Sequence, residues 1–448
     1  MAESNSNQTP SSQAEGVRFL VRALRHRNYR LFFGGQTISL IGTWMTRIAT
    51  SWLVYRLTGS AMLLGLVGFA GQLPTFLLAP FAGVWVDRWN RHRVLVVTQV
   101  LAMLQSFALA ALALSGRITA MEILWLSAFQ GAINAFDMPA RQAFVLEMVT
   151  DRADLSNAIA LNSSMVNMAR LVGPSVAGLI IAAVGEGYCF LIDGFSYLAV
   201  IASLLLMQLA AAAPARRGKN TLADLREGWQ YVSGFAPVRD VMLLLAIASL
   251  MGMPYMVLMP IFAGKILHGG PHTLGFLMGC TGVGALTGAV VLAARRSVLG
   301  LGRVVPLAAA AFGAGLVAFS FSHWLWLSYA LMFVVGFGMM QQMASSNTIL
   351  QTITPDDRRG RVMSYYTVAI VGMMPFGSLL SGWIAARIGA PMALAIGGAF
   401  CLLGAGLFAL RLGRIRELVH PIYVQLGIIP EIAEGLNSAA VLSSAGEE

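Results

Sequence analysis

Four ionisable side chains stand inside stretches that are otherwise apolar. They are Arg47 in TWMTRIATSW, Arg170 in NMARLVG, Asp137 in NAFDMPARQ and Asp193 in FLIDGFS. An ion in an apolar span is costly, so such a residue faces a wet cavity or an opposite charge. Two chemistries follow. The arginines can hold an anion, and a carboxylate (Asp137 or Asp193) can take up and release a proton. A structural ion pair, such as Arg170 with Asp193, is the alternative, and the sequence leaves it open. Nothing points to catalysis, and no enzyme activity is expected. No metal spacing occurs, and Cys189, Cys280 and Cys401 are scattered through apolar runs. No G-x-x-x-x-G-K-[ST] loop occurs, so ATP is not the energy source. No metal and no cofactor is expected.

The polar residues nearest these charges are the other cavity candidates. Gln130 and Asn134 lie one turn apart and share a helix face. Asn162 and Asn167 precede Arg170 in the same run. Arg47, Gln130, Asn134 and Arg170, with Asn162 and Asn167, are the expected substrate contacts. Trp44, Trp52, Phe136, Tyr255, Tyr365 and Tyr366 offer aromatic surface, although at helical spacing such residues are more often core or lipid-facing.

The elements that position these residues are membrane helices. The chain has 448 residues, of which 57% are hydrophobic and 11% charged, with mean hydropathy +0.72. Soluble domains carry about 25% charged residues, so a soluble enzyme is excluded. Twelve apolar spans lie between residues 31 and 410. The net charge of +10 is read as positive-inside bias and not as a nucleic-acid footprint. With the N-terminus inside, 24 of the 30 Lys and Arg fall in inner segments and 4 in outer loops. Both termini are therefore predicted to be cytoplasmic, and residues 1–16 show no signal-peptide pattern.

The predicted organisation is a tail and interfacial helix at 1–30, a six-helix half at 31–210 and a linker at 211–239. A second half at 240–412 and a tail at 413–448 follow. Glycines repeat between the halves. Gly173/Gly377, Gly178/Gly382, Gly185/Gly389 and Gly194/Gly398 are 204 apart, and Gly42/Gly252 and Gly65/Gly275 are 210 apart. The fold class is an all-α membrane protein, with twelve transmembrane helices in two pseudo-symmetric six-helix halves.

Between the second and third spans lies a charged island, GVWVDRWNRHR, from Gly83 to Arg93. It is predicted to be a tight loop at one membrane face, with Asn90 taking a left-handed turn. With Gly83, Asp87, Arg88, Arg91 and Arg93 in register, it resembles the loop between helices 2 and 3 of the major facilitator superfamily. Asn90 stands where that family usually has Gly. Gly173-Pro174, followed by Ala177-Gly178, resembles the G-P-x-x-G-G motif of the exporter branch, with Ala177 as the departure. The strings LIGTWMTRIATSWLVYRLTGS, NAFDMPARQAFVLEMV and NTILQTITPDDRRGRVMSYYT are similar to enterobactin exporters and macrolide-type efflux proteins.

The resemblance implies a central cavity between the two halves, and a proton-coupled antiporter of the bacterial inner membrane, working as a monomer. It would export a small amphiphilic or anionic molecule, siderophore-like or drug, by alternating access. It also implies a gate in which Asp87 faces the helix start near Gly360, and Asp137 pairs with Arg91. A local pair of Asp137 with Arg141 is the competing reading. An importer of a small nutrient, or a membrane sensor that transports nothing, are the other function classes.

Overall fold

The computed structural model of the chain describes residues 22–149, 151–208, 221–295 and 297–429. The side chains of Pro80, Val84, Asp87, Arg152 and residues 221–225 lie outside that description, as do residues 1–21, 209–220 and 430–448 of the predicted tails and linker. The described residues are mostly helical and include no strand. The first six long helices are α1 (Arg27–Thr58), α2 (Ala61–Arg88), α3 (Arg91–Leu114), α4 (Ala120–Met148), α5 (Leu155–Val184) and α6 (Glu186–Leu205). A shorter α7 (Thr221–Gly234) lies in the linker. Then come α8 (Ala236–Ile266), α9 (Pro271–Ala293), α10 (Leu301–Ser320), α11 (Leu325–Ile353), α12 (Asp356–Ile388) and α13 (Ala390–Gln425).

Ten of these helices are long and apolar enough to cross a membrane. Besides the short α7, the two that fall short are α1 and α4, at 32 and 29 residues. Length is not what they lack. They carry Arg47, Gln130, Asn134 and Asp137, and these polar residues dilute the spans.

Local sequence sets the helix ends. Ser60 accepts from the Leu63 N–H, and Thr119 and Glu122 form a reciprocal capping box. Gly59, at φ 59°, closes α1 in the left-handed region. The island between α2 and α3 shrinks to two residues, and Asn90 does not turn left-handed as predicted. At φ −69°, ψ 109° it is extended and caps the Arg93 N–H at 3.0 Å. Short polar side chains serve N-caps as readily as left-handed turns, and the cap prevailed. The predicted interfacial helix over residues 17–30 is also corrected where it is described. Arg22–Arg25 is a single 3₁₀ turn, and α1 starts at Arg27.

Contacts gather the chain into two compact units. Unit 1 is Met1–Gly218 with Val257–Gly282 and Ser378–Ala390; unit 2 is Lys219–Met256, Val283–Gly377 and Pro391–Glu448. In unit 1, α1 packs on α5 and α6, α2 on α4, and α3 on α4 and α6. A core of Tyr29, Phe32, Leu95, Phe144 and Leu204 fills one end. In unit 2, α10 packs on α11, and α7 lies on the start of α12. Two π-helical turns, Ala248–Gly252 and Val368–Gly372, interrupt α8 and α12, and the Ser249 hydroxyl donates to Ile370 O across them.

The repeated glycines sit at close helix approaches in unit 1. A Cβ on Gly65 would lie 2.8 Å from Gly382 Cα, and one on Gly275 would lie 3.0 Å from Gly178 Cα and 2.6 Å from Pro174 O. Gly65/Gly275 and Gly178/Gly382 are repeat pairs, so two equivalent seams use the same small residues for close helix approach. Gly275→Val is expected to cost about 1–3 kcal/mol by overpacking and to lower the melting temperature in detergent. Gly34→Ala, at a helix position with nothing within 4 Å, is the control and does not lower the melt.

Candidate substrate and proton site

The site grows out of α1. Trp44 and Arg47 lie one turn apart, and the Arg47 guanidinium sits 4.9 Å from the Trp44 ring centre. Arg170, on α5, sits 5.3 Å from the same ring. The motif glycine makes this possible. A Cβ on Gly173 would come 2.5 Å from Trp44 Cβ and 3.0 Å from Ile41 O. Gly173 thus lets α5 close on α1, and Arg170, three residues earlier, reaches the indole. Two cations on one ring attract it and repel each other. The arrangement suits an anion bridging the pair.

A neighbouring face of α1 meets Asp193. This carboxylate, 1% exposed, accepts from Thr46 Oγ1 at 2.7 Å and Ser106 Oγ at 2.9 Å, with Ser196 Oγ at 3.4 Å. Gly42 gives it room, since a Cβ there would lie 2.6 Å from Asp193 Oδ1. Three hydroxyls from three helices surround it, and none of its hydrogen-bond partners is a cation. The structural pair of Arg170 with Asp193 is therefore not formed.

Asp137, 2% exposed, is held differently. It accepts from Thr98 Oγ1 at 3.0 Å and Gln99 Nε2 at 2.7 Å, and it pairs with Arg141 one turn on. Arg91 pairs with Glu147 at 2.7 Å. The structure thus adopts the local Asp137–Arg141 pair and does not bring Arg91 to Asp137. The one-turn spacing within α4 explains this, because the local partner costs no tertiary rearrangement. The Asp87 side chain lies outside the described residues. A Cβ added at Gly83 or at Gly360 would meet nothing within 4 Å. Arg141→Met should cost about 3–5 kcal/mol, because it leaves a buried carboxylate without its counter-ion. Arg91→Met should cost under about 1 kcal/mol, because its pair is partly solvated. Thermal melts of the two purified variants check the order.

Among the remaining candidates, Gln130 Nε2 donates to Asn134 Oδ1 at 3.2 Å, and Gln130 Oε1 is buried without a hydrogen-bond partner. Asn167 donates to Ser163 O of its own helix. Neither Asn162 nor Asn167 forms a hydrogen bond with Arg47 or Arg170. Trp52 and Tyr255 are buried, Phe136 stacks on Trp85 and Trp89, and Tyr365 lies against Trp229.

Sequence reasoning missed two features. In α11 the polar run at Gln341, Gln342, Ser345 and Ser346 is buried, with one atom of each residue lacking a hydrogen-bond partner. Polar residues in mid-span were the available signal. The second feature is Asp154, just before α5. It pairs with Arg22, with Arg25 at 2.7 Å and with His26 at 2.9 Å, while the Ala23 N–H donates to Asn157 at 2.8 Å. No spacing in the sequence announces this clamp. Burial pushes the Asp154 carboxyl up, but the hydrogen bonds from His26 and Arg22 and the charges of Arg22 and Arg25 bring it below the ordinary carboxylate range. An acid so depressed stabilises the fold above its unfolded value of about 3.9, and this is lost as pH falls through the lower folded value. Amide protection factors at residues 23–30, corrected for the intrinsic pH dependence of exchange, should therefore be high at neutral pH and fall once the pH drops below the depressed Asp154 range. Asp154→Asn should show low protection factors throughout.

Apolar helices at membrane length, repeated glycines at close helix approaches and charges placed inside the spans fit a polytopic transporter, and the family match places it in the major facilitator class. It is not an enzyme. The pattern of the family described as transmembrane secretion effectors matches residues 21–420, and the chain belongs to that family. It is similar to the staphyloferrin A transporter of Staphylococcus aureus, at 25% identity over 78% of this chain and 88% of that one. It is similar also to the multidrug efflux pump Tap of Mycolicibacterium fortuitum, at 28% identity over 84% and 93%. The fold is shared with a crystal structure of a peptide transporter, at TM-score 0.69 and 12% identity over 87% of this chain and 95% of that one. A nucleoside transporter gives TM-score 0.67 and 12% identity over 86% and 99%.

Proposed function

We propose that the protein is a proton-coupled exporter of the bacterial inner membrane. It carries a small anionic or amphiphilic molecule outward by alternating access, in exchange for protons. The observation that carries this reading is the pair Arg47 and Arg170 on Trp44, close in sequence to the contacts of a buried Asp193 held only by hydroxyls. The guanidiniums hold the anion, and Asp193 carries the proton. Gln130 and Asn134 add hydrogen bonds to the substrate, and Asn162 and Asn167 complete its lining. The relatives named for a siderophore and for drugs support a substrate of that kind. In this reading α1 and α4 are membrane spans like the other ten, both termini are cytoplasmic, and the protein works as a monomer. It uses no cofactor beyond the proton gradient. Asp87, Arg88, Arg91 and Arg93 act as the cytoplasmic gate.

Untargeted mass spectrometry of spent medium and cell extracts tests the direction, using strains with and without the gene. A compound lost from the medium and accumulated in cells without the gene is the expected result. A medium component that instead stops being consumed would make the protein an importer.

A further inference from the structure

Unit 2 holds a cavity lined by none of the candidate site residues. It has a volume of about 370 Å³ and lies among α8, α10 and α13 at the arginine-rich end. Val241, Phe408 and Leu412 are among its lining residues, together with Arg303, Arg416 and His420, which are exposed. Its size falls in the range of small-molecule sites, about 300–1,000 Å³.

Its position along α13 decides what it can hold. With 36 residues, α13 spans about 54 Å at 1.5 Å per residue, well beyond a hydrocarbon core of about 30 Å. Exposed apolar side chains run along it through Leu403 and Leu407 to Leu410, which is 85% exposed. Arg411, Arg414 and Arg416 follow at once. The helix leaves the hydrocarbon at this point. The cavity straddles the boundary, with Phe408 on the apolar side and Arg416 on the charged side.

The arrangement recurs in unit 1. A cavity of about 680 Å³ there is lined by Val94, Val97 and Phe129, with Arg88 and Arg93 at its edge. Arg93 and Arg303 are 210 residues apart, the same offset as Gly42/Gly252 and Gly65/Gly275. Each arginine lies in the first turn of its helix, α3 or α10. The repeat thus carries an arginine at the mouth of an apolar cavity in both runs.

We propose that the unit 2 cavity binds an anionic glycerophospholipid of the cytoplasmic leaflet. The phosphate rests on Arg303 and Arg416, and an acyl chain lies against Val241, Phe408 and Leu412. A soluble anion would gain nothing from the apolar wall, and a zwitterionic lipid would gain little from two arginines. Basic pockets between helices at the cytoplasmic face suit anionic headgroups. The placement rests on the proposed topology, but binding needs neither substrate nor flux, so its failure would leave the export reading standing.

The test counts lipids on the full-length protein by native mass spectrometry. Protein in mild detergent is mixed with phosphatidylglycerol or with phosphatidylcholine of the same acyl length. Phosphatidylglycerol should be retained in preference. Arg303→Ala/Arg416→Ala should hold one fewer phosphatidylglycerol, through a loss of about 30-fold in affinity at about 1 kcal/mol per arginine. Both arginines are exposed, so this variant keeps its fold. Leu412→Trp, which fills the cavity and keeps both charges, should lose the same lipid. Equal retention of the two lipids by the wild type overturns the proposal, as does an unchanged count in the arginine variant. A bound lipid seen only after removal of residues 430–448 would assign the cavity to the chain's own C-terminal segment, and would overturn it as well.

Discussion

Arg170→Ala raises KM for the exported anion about 10- to 100-fold, the value of one or two charge-assisted hydrogen bonds. Arg47→Ala has an effect of the same order. The reason lies in the geometry at Trp44, where two guanidiniums at 4.9 and 5.3 Å share one ring. Each repels the other, and a bound anion relieves that repulsion. Removing the first arginine therefore costs the anion contact but also removes a like-charge neighbour. The double variant should then be worse than either single variant by a factor different from their product, which is the signature of coupled residues. Arg170→Lys keeps the charge and loses the planar stacking, so it should fall between wild type and alanine. Trp44→Leu should weaken both arginines at once. The measurement is initial transport rate against substrate concentration in inside-out vesicles. An unchanged KM in Arg170→Ala, with protein level and melting temperature also unchanged, would sink the assignment.

Much of this site was legible in the sequence because membranes tax polarity. An arginine in TWMTRIATSW or an aspartate in FLIDGFS stands out against its surroundings, and both prove to be partnered. The glycine repeat was legible for the same reason in reverse. Close helix approach demands residues without side chains, so Gly65 with Gly275 and Gly178 with Gly382 left a periodic trace. The Asp137–Arg141 pair could be read from one-turn spacing.

Contacts that depend on which helices become neighbours could not be read. Thr46 and Ser106 are ordinary hydroxyl residues in two other helices, and only packing turns them towards the Asp193 carboxylate, whereas Ser196 lies one turn along its own helix. Asp154 and Arg22 are 132 residues apart, and each looks like a loop charge. Asn90 failed for another reason. The residue type was informative, but it serves two backbone conformations, and the choice depended on how soon α3 began.

Asp193→Asn abolishes transport against a gradient while downhill exchange of the substrate continues. Asn is nearly isosteric with Asp. Its carbonyl oxygen accepts as a carboxylate oxygen does, and the hydroxyls of Thr46 and Ser106 can rotate to accept from its NH₂. The fold is therefore kept and only the exchangeable proton is lost. Asp193→Leu is the contrast. It leaves buried hydroxyls without an acceptor, at about 1–3 kcal/mol each, and the protein melts earlier. Asp137 behaves in the opposite sense. Its charge is matched by Arg141, so Asp137→Asn strips a half-buried arginine of its counter-ion and acts first on stability. Asp193 has no cation among its partners, so taking up a proton there breaks no ion pair. Proteoliposomes separate the two outcomes, with an imposed pH gradient for uphill transport and equal pH for exchange. Uphill transport that survives in Asp193→Asn would move the proton to another group. Loss of both modes in a well-folded variant would make Asp193 a substrate contact instead of a proton carrier.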